Sequence, residues 1–206
     1  MGKITHFIEQ SWLLIVSAFF FGLLIAITNA GLSPRIEQNE RDKLFKLMGG
    51  LIADANSFEV SLEGVEIPGR KGKVLKTDIY KAVDKAGVNA GFAYVAIGAG
   101  FADKIKLVIA VDGKCEKFFG FRVLSSNETP GFGSKIKEEF FSDQFKDAPA
   151  GEIKLVKAGD AGKIDTDIVT ISGATVSSEA VVKIFNTYTD SIKKQLTAKG
   201  LLADGK

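Results

Sequence analysis

The chain has 206 residues, enough for one domain of ordinary size and a short additional segment. Its 27 basic and 25 acidic residues leave a net charge of +2, too small to favour a nucleic-acid partner. The single cysteine, Cys115, excludes an internal disulfide framework, a four-cysteine zinc site and an iron–sulfur cluster held by this chain alone. The single histidine, His6, lies beside the N-terminal apolar run, so the composition favours chemistry supplied by a bound cofactor.

The first predicted element is an apolar helix near the amino terminus. Residues 10–34 contain no charge, and the run is long enough for the roughly 20 residues that cross a bilayer. We therefore predict an N-terminal tail at residues 1–10 and a transmembrane helix at residues 11–31. A cleavable signal peptide is the alternative, because Lys3 precedes the run, although the run is long for such a leader.

A connecting segment and a folded domain are predicted after this helix. Residues 32–60 are predicted to be a connecting helical segment, because apolar residues recur there at helical spacing. Residues 61–206 form the predicted domain, with residues 64–76 as an exposed, turn-rich loop. Segments rich in β-branched and aromatic residues then predict antiparallel strands at residues 79–83, 91–97, 105–111 and 118–124.

The turn and the helix that follow these strands complete the predicted fold. Asp112-Gly113 between the last two strands predicts a hairpin with a type I′ turn. Residues 177–196 predict an amphipathic helix laid on the sheet. Its apolar face comprises Ala180, Val181, Ile184, Phe185, Tyr188, Ile192 and Leu196. The predicted class is therefore α+β, with one N-terminal transmembrane helix followed by an antiparallel sheet packed with helices.

One glycine-containing turn does not predict a nucleotide site. Gly98-Ala99-Gly100 begins like a dinucleotide-binding loop, but Asp103 stands at the third glycine position and a predicted strand follows. We therefore predict no Rossmann-type site at this turn.

The first informative motif is Ser172-Gly173-Ala174-Thr175, followed by Val176 and Ser177 at the start of the predicted final helix. One interpretation is a simple helix start, with Thr175 or Ser177 as the N-cap. The other is a phosphate site, because helix N-termini offer backbone N–H groups and the positive end of the helix dipole. Small residues before Thr175 would leave its hydroxyl open to modification.

The second motif is the loop Glu128-Thr129-Pro130-Gly131-Phe132-Gly133, followed by Ser134 and Lys135. A simple Pro-Gly turn after a strand is one interpretation. As a binding loop, its glycines would let the backbone approach a flat ligand, while Thr129, Ser134 and Lys135 could donate hydrogen bonds. Neither motif is specific by itself.

Together the two motifs resemble the FMN-binding domain shared by the G subunit of the Rnf complex and the C subunit of the sodium-pumping NADH:quinone oxidoreductase. That family has a Glu-Thr-Pro-Gly-Leu-Gly loop, matched by residues 128–133 with Phe132 in place of leucine. It also has a Ser/Thr-Gly-Ala-Thr motif whose last threonine, here Thr175, carries FMN through a phosphoester. The family usually has an acidic residue where this chain has Val169, and Asp167 is expected to substitute for it.

The resemblance implies a function and a setting. It implies covalent FMN at Thr175, with the residues of both motifs around the cofactor, and no independent active site in this redox subunit. The chain would relay electrons within an ion-translocating ferredoxin:NAD oxidoreductase (Rnf) complex, beside its A, D and E subunits, its peripheral B and C subunits, and membrane lipid. A flavin transferase would attach the FMN. The bulk of the chain would lie on the extracytoplasmic side of a bacterial or archaeal cell membrane.

Three alternatives stay open on the sequence alone. The chain could serve the related quinone oxidoreductase, although it is short for that role. It could be a membrane-tethered binding or assembly module whose Ser-Gly-Ala-Thr turn only caps a helix, or a stand-alone extracytoplasmic flavin carrier. The residues do not fix the coupling ion or the flavin potential. Membrane sidedness also stays open, because basic residues after the span, such as Arg35 and Lys43, favour a cytoplasmic domain, whereas the resemblance implies an extracytoplasmic one.

Overall fold

The computed structural model describes the backbone of residues 2–69 and 72–202, and side chains from Ser11 onward within those ranges. Arg70 and Lys71 of the predicted exposed loop lie outside the described residues. The chain divides into two compact units, Met1–Lys43 and Leu44–Lys206.

Helix α1 runs from Gly2 to Leu51 without interruption. Pro34 lies inside it, in the turn where the Ser33 hydroxyl donates to the carbonyl of Asn29 at 2.7 Å. The apolar side chains that follow Ser11 are exposed in the protein itself, as lipid-facing residues would be. Among the described residues, α1 is the one helix long and apolar enough to cross a membrane.

Five strands form one antiparallel sheet in the order β1-β2-β3-β4-β5, each strand pairing with the next along the chain. Their bounds are β1 Ser57–Pro68, β2 Val74–Val83, β3 Asn89–Ala99, β4 Lys104–Val111 and β5 Phe118–Ser125. The four predicted strands are confirmed as β2 to β5. The predictions for residues 57–60, as part of the connecting helical segment, and for most of the exposed loop at 64–76 were wrong, because β1 and the start of β2 occupy them. β1 is an edge strand whose pairing with β2 shifts register twice and whose apolar residues are interrupted by exposed charges.

The turn between β4 and β5 is a hairpin, as predicted, but it is not a type I′ turn. Six residues, 112–117, connect the strands, and the Asp112 carboxylate accepts backbone N–H groups of Glu116 at 2.7 Å and Lys117 at 3.0 Å. The left-handed residue is Cys115, with φ of 53°. Burial raises the pKa of the Cys115 thiol to about 12. The prediction of a short turn was wrong because the Asp112 side chain closes a longer one.

The chain after β5 builds the second layer. It contains 3₁₀ helices at Gly133–Lys137 and Asp143–Phe145, helix α2 at Glu139–Ser142, strands β6 Lys154–Val156 and β7 Asp167–Val169, and helix α3 at Thr175–Ala198. The strands β6 and β7 pair in parallel. All seven residues of the predicted apolar face of α3 are buried against the sheet and its neighbours. The predicted α+β fold is confirmed.

The opposite face of the sheet is partly covered by the end of α1. Met48 and Leu51 pack with Ala93 and Val108 in a second buried cluster. In the Leu44–Lys206 unit, the sheet therefore lies between the end of α1 on one face and α3 on the other.

Close packing of α3 on the sheet depends on Gly98 of β3. A Cβ at this position would overlap Cγ1 of Ile184 and lie 2.9 Å from its Cδ1. We expect Gly98→Ala to destabilise the domain by about 1–3 kcal/mol, because the packed core cannot absorb the extra carbon. The apparent melting temperature of the purified full chain in detergent measures this. The matched control is Gly151→Ala, whose Cβ meets no atom within 4 Å, and equal losses in the two variants would contradict the packing argument.

Candidate functional site

Three chain segments meet around a cavity of about 480 Å³. The first is the turn between β3 and β4, the second is the loop after β5, and the third is the start of α3. The lining residues are Phe101, Thr129, Phe132, Gly133, Gly173, Ala174, Thr175, Val176 and Ser177. The volume falls within the roughly 300–1,000 Å³ typical of small-molecule and cofactor sites.

The first turn of α3 faces this cavity with unpaired backbone donors. The helix begins at Thr175, and its N-cap is Ala174, which makes no side-chain capping bond. The first backbone amide to find a partner is that of Ser178, which donates to the Ala174 carbonyl at 3.0 Å. Among the described residues, the three preceding amides have no acceptor. A 24-residue helix therefore presents free N–H groups and the positive end of its dipole to the cavity.

The alternative in which Thr175 or Ser177 caps this helix is wrong. Thr175 is already the first helical residue, and the Ser177 hydroxyl donates to Glu128. The Thr175 side chain is exposed, and its hydroxyl makes no hydrogen bond with any described residue. An accessible hydroxyl beside free amides is suited to carrying a phosphate ester.

Glu128 holds the three segments together. Its side chain is only 5 % exposed. One carboxylate oxygen accepts the backbone amides of Phe101 and Ala102, both at 3.0 Å, and the other accepts the Ser177 hydroxyl. Bonds to a charged acceptor are among the stronger hydrogen bonds in proteins. Glu128 therefore does not line the cavity. It lies behind the lining residues and holds them in place through these hydrogen bonds.

Gly100 and Gly133 leave no room for a side chain, because both lie against Glu128. A Cβ at Gly133 would lie 2.7 Å from one Glu128 carboxylate oxygen and 3.0 Å from the Glu128 Cβ. A Cβ at Gly100 would overlap the other carboxylate oxygen and lie 2.7 Å from the Asp103 carbonyl. Side chains at either position would push the carboxylate away from its donors.

The remaining predicted residues do not line the cavity. Gly131 adopts φ of +75° in an exposed turn after Pro130, and its amide donates to the Ser134 hydroxyl at 3.0 Å. Lys135 lies on the 3₁₀ helix, and Ser172 is exposed just before the cavity. The Ser134 hydroxyl therefore stabilises the loop to which it belongs.

Sequence reasoning missed Phe101. The only signal was the turn that contains Gly98 and Gly100, which departs from the pattern of a dinucleotide-binding loop. Strand β4 follows this turn directly at Lys104, as predicted, where a dinucleotide-binding loop would lead into a helix. The turn nevertheless delivers Phe101 to the cavity.

Val169 stands where the resembled family has an acid. It belongs to β7, and its backbone N–H and C=O both bond the side-chain amide of Gln144, at 2.7 and 3.3 Å. Asp167 is exposed two residues earlier on the same strand, which places it on the same face. Asp165 is engaged by Lys163 at 2.7 Å and by the Asp167 amide at 2.8 Å. Asp167 is therefore the more available carboxylate.

Comparison with known proteins assigns the chain to a family. A family model described as an FMN-binding domain matches residues 100–190, which include all three segments of the cavity. The G subunit of an ion-translocating oxidoreductase complex from Methanosarcina acetivorans is 29% identical over 172 residues, covering 84% of this chain and 87% of that protein. The G subunit of a proton-translocating ferredoxin:NAD(+) oxidoreductase complex from Clostridium ljungdahlii is 31% identical over 172 residues, covering 82% and 83%. This chain belongs to the family of these G subunits.

Solved structures support the same fold. Shewanella oneidensis NqrC superposes with a TM-score of 0.56 at 20% identity, covering 71% of this chain and 73% of that one. The C subunit of the Na(+)-translocating NADH-quinone reductase from Parabacteroides distasonis gives 0.55 at 17% identity, covering 84% and 98%. At such identities the likeness establishes the architecture alone.

Proposed function

We propose that this chain is the electron-transfer flavoprotein subunit of a membrane complex that couples ferredoxin:NAD oxidoreduction to ion transport, and that its FMN is esterified to Thr175. The observation that carries the proposal is the exposed Thr175 hydroxyl, which has no hydrogen-bond partner among the described residues and lies beside free helix amides at a cavity of about 480 Å³.

The residues of the cavity fit FMN in both charge and shape. The amides of Thr175, Val176 and Ser177 would hold the phosphate, whose single negative charge as a diester suits the positive end of a helix. Phe101, Phe132 and Val176 supply apolar walls for a flat ring. FMN, when bound, supplies reversible uptake and release of electrons. The chain itself positions the ring, limits its contact with water and keeps it from dissociating.

The lining residues also support a relay in place of an independent active site. Phenylalanine, threonine, glycine, alanine, valine and serine line the cavity, and none of these carries a group that titrates near neutral pH. General acid–base catalysis needs such a group within reach of the substrate. Electron transfer asks only for placement and tuning of the flavin.

The proposed setting is supported by α1 and by the relatives. An apolar helix suited to one membrane crossing precedes the domain, and the relatives named above are subunits of complexes. We propose partners equivalent to the A, D and E subunits of Rnf and its peripheral B and C subunits, contact with membrane lipid, and a domain on the extracytoplasmic side. The flavin transferase would act on Thr175, reading Asp167 in place of an acid at Val169.

Intact mass spectrometry of the mature protein from its native membranes tests this function. We expect the mass of the chain plus one esterified FMN, and a fluorescent band on a denaturing gel under ultraviolet light. An unmodified Thr175 peptide would overturn the flavoprotein assignment and favour the tethered module. A flavinylated protein that purifies without polytopic partners would overturn the assignment to a complex and favour a stand-alone carrier.

A further inference from the structure

We propose that Phe101 is the aromatic wall on which the flavin ring lies, and that Glu128 positions this wall relative to Thr175. The inference rests on the proposed function, because it concerns the same cavity, and it adds a residue that lies outside both sequence motifs.

Phe101 lines the cavity while 67 % of its surface is exposed. Phe132 lines the same cavity. A Cβ built on Gly173 would lie 3.5 Å from the Phe132 ring, so this ring lies against the turn that precedes α3. Phe101 comes from a different segment, the turn between β3 and β4. An aromatic ring packed on a flat aromatic ligand gains roughly 0.5–1.5 kcal/mol beyond burial of its area. A flavin ring is the one component of FMN that can use such a wall.

The turn that carries Phe101 is held in one conformation. The Gly100 amide donates to the Asp103 carbonyl at 2.8 Å, and the Asn127 side chain donates to the Asp103 carboxylate at 2.9 Å. Two hydrogen bonds lower the pKa of the Asp103 carboxyl. The larger effect comes from the Lys104 backbone and the smaller from the Asn127 side chain. The two peptide groups at Phe101 and Ala102 are both bound by Glu128. A rigid backbone with an exposed aromatic side chain is the arrangement expected of a preorganised ligand contact.

The same Glu128 carboxylate ties this turn to the attachment point. Its second oxygen accepts the hydroxyl of Ser177, which lies in the first turn of α3 two residues after Thr175. The position of Phe101 relative to Thr175 therefore depends on one buried side chain. This is a positioning role, because Glu128 does not line the cavity.

Iodide quenching of flavin fluorescence tests the proposal on the flavinylated full chain in detergent. We expect Phe101→Ala to raise the quenching constant roughly twofold, because loss of one aromatic contact uncovers about one face of the ring. Phe101→Tyr should restore the original value. The matched control is Phe140→Ala, since Phe140 is 54 % exposed and lines a separate cavity between α2 and the loop before β7.

Glu128→Leu should raise the quenching constant in the same direction, because leucine can accept neither the Phe101 and Ala102 amides nor the Ser177 hydroxyl. Glu138→Leu changes an exposed residue whose side chain makes no capping hydrogen bond, and it should leave the constant unchanged. Unchanged quenching in Phe101→Ala would overturn the proposal, and Phe101→Leu serves as the variant where alanine prevents flavin attachment. Absence of FMN from the wild-type chain, seen by intact mass, would instead overturn the proposed function.

Discussion

Replacing Thr175 by alanine is expected to remove covalent flavin completely. The purified variant should lack the mass of one esterified FMN and show no fluorescent band on a denaturing gel, because the proposed phosphoester uses the Thr175 hydroxyl. The fold should persist, since the side chain is exposed and makes no hydrogen bond with the described residues, so the change in unfolding free energy should stay within about 0.5 kcal/mol.

Two companion variants make this result specific. Thr175→Ser keeps a hydroxyl and should retain flavin. Thr197→Ala removes an exposed threonine from the last turn of the same helix, where its hydroxyl donates to the Lys193 carbonyl at 2.7 Å, and should leave attachment unchanged. Full flavinylation of the Thr175→Ala chain would place the ester on another residue and contradict the assignment.

Replacing Glu128 by alanine should have the largest effect on stability among the residues of the site. The change leaves the Phe101 and Ala102 amides and the buried Ser177 hydroxyl without their acceptor, at a total cost on the order of 3 kcal/mol. For a chain of this size the apparent melting temperature should fall by roughly 6–12 °C. Flavin attachment should fall as well, because the start of α3 and the turn at Phe101 are no longer tied together.

Glu138→Ala is the matched control for Glu128. Glu138 is an exposed glutamate on the same connection, and its side chain makes no capping hydrogen bond. Its melting temperature should match that of the wild type. If the two alanine variants lost equal stability, the carboxylate bridge would not be the source of the effect.

The regular elements were predictable because their signals are local. The alternation of β2 to β5 and the apolar face of α3 each lie within one stretch of chain, and both are confirmed. β1 was not predictable in this way, because exposed charges and two register shifts interrupt its pattern. Its identity as a strand depends on pairing with β2.

The candidate site was predictable only in part. The two motifs contain eight of the nine residues that line the cavity, and Phe101 is the ninth. The position of Glu128 behind the wall could not be read from the sequence, because its donors lie 26, 27 and 49 residues away along the chain. The motif around Glu128 indicated proximity to a ligand, whereas only the folded arrangement distinguishes a lining residue from a bridging one.

The alanine at the N-cap of α3 lowers the stability of the chain before any phosphate is bound. A serine or aspartate there would satisfy one of the first amides, and alanine forgoes about 1 kcal/mol of helix stability. Any phosphate that occupies these amides stabilises the native state through binding linkage. By the proposed function, newly made protein that still lacks its FMN should therefore be the form most easily unfolded and degraded, so that maturation and survival are thermodynamically coupled.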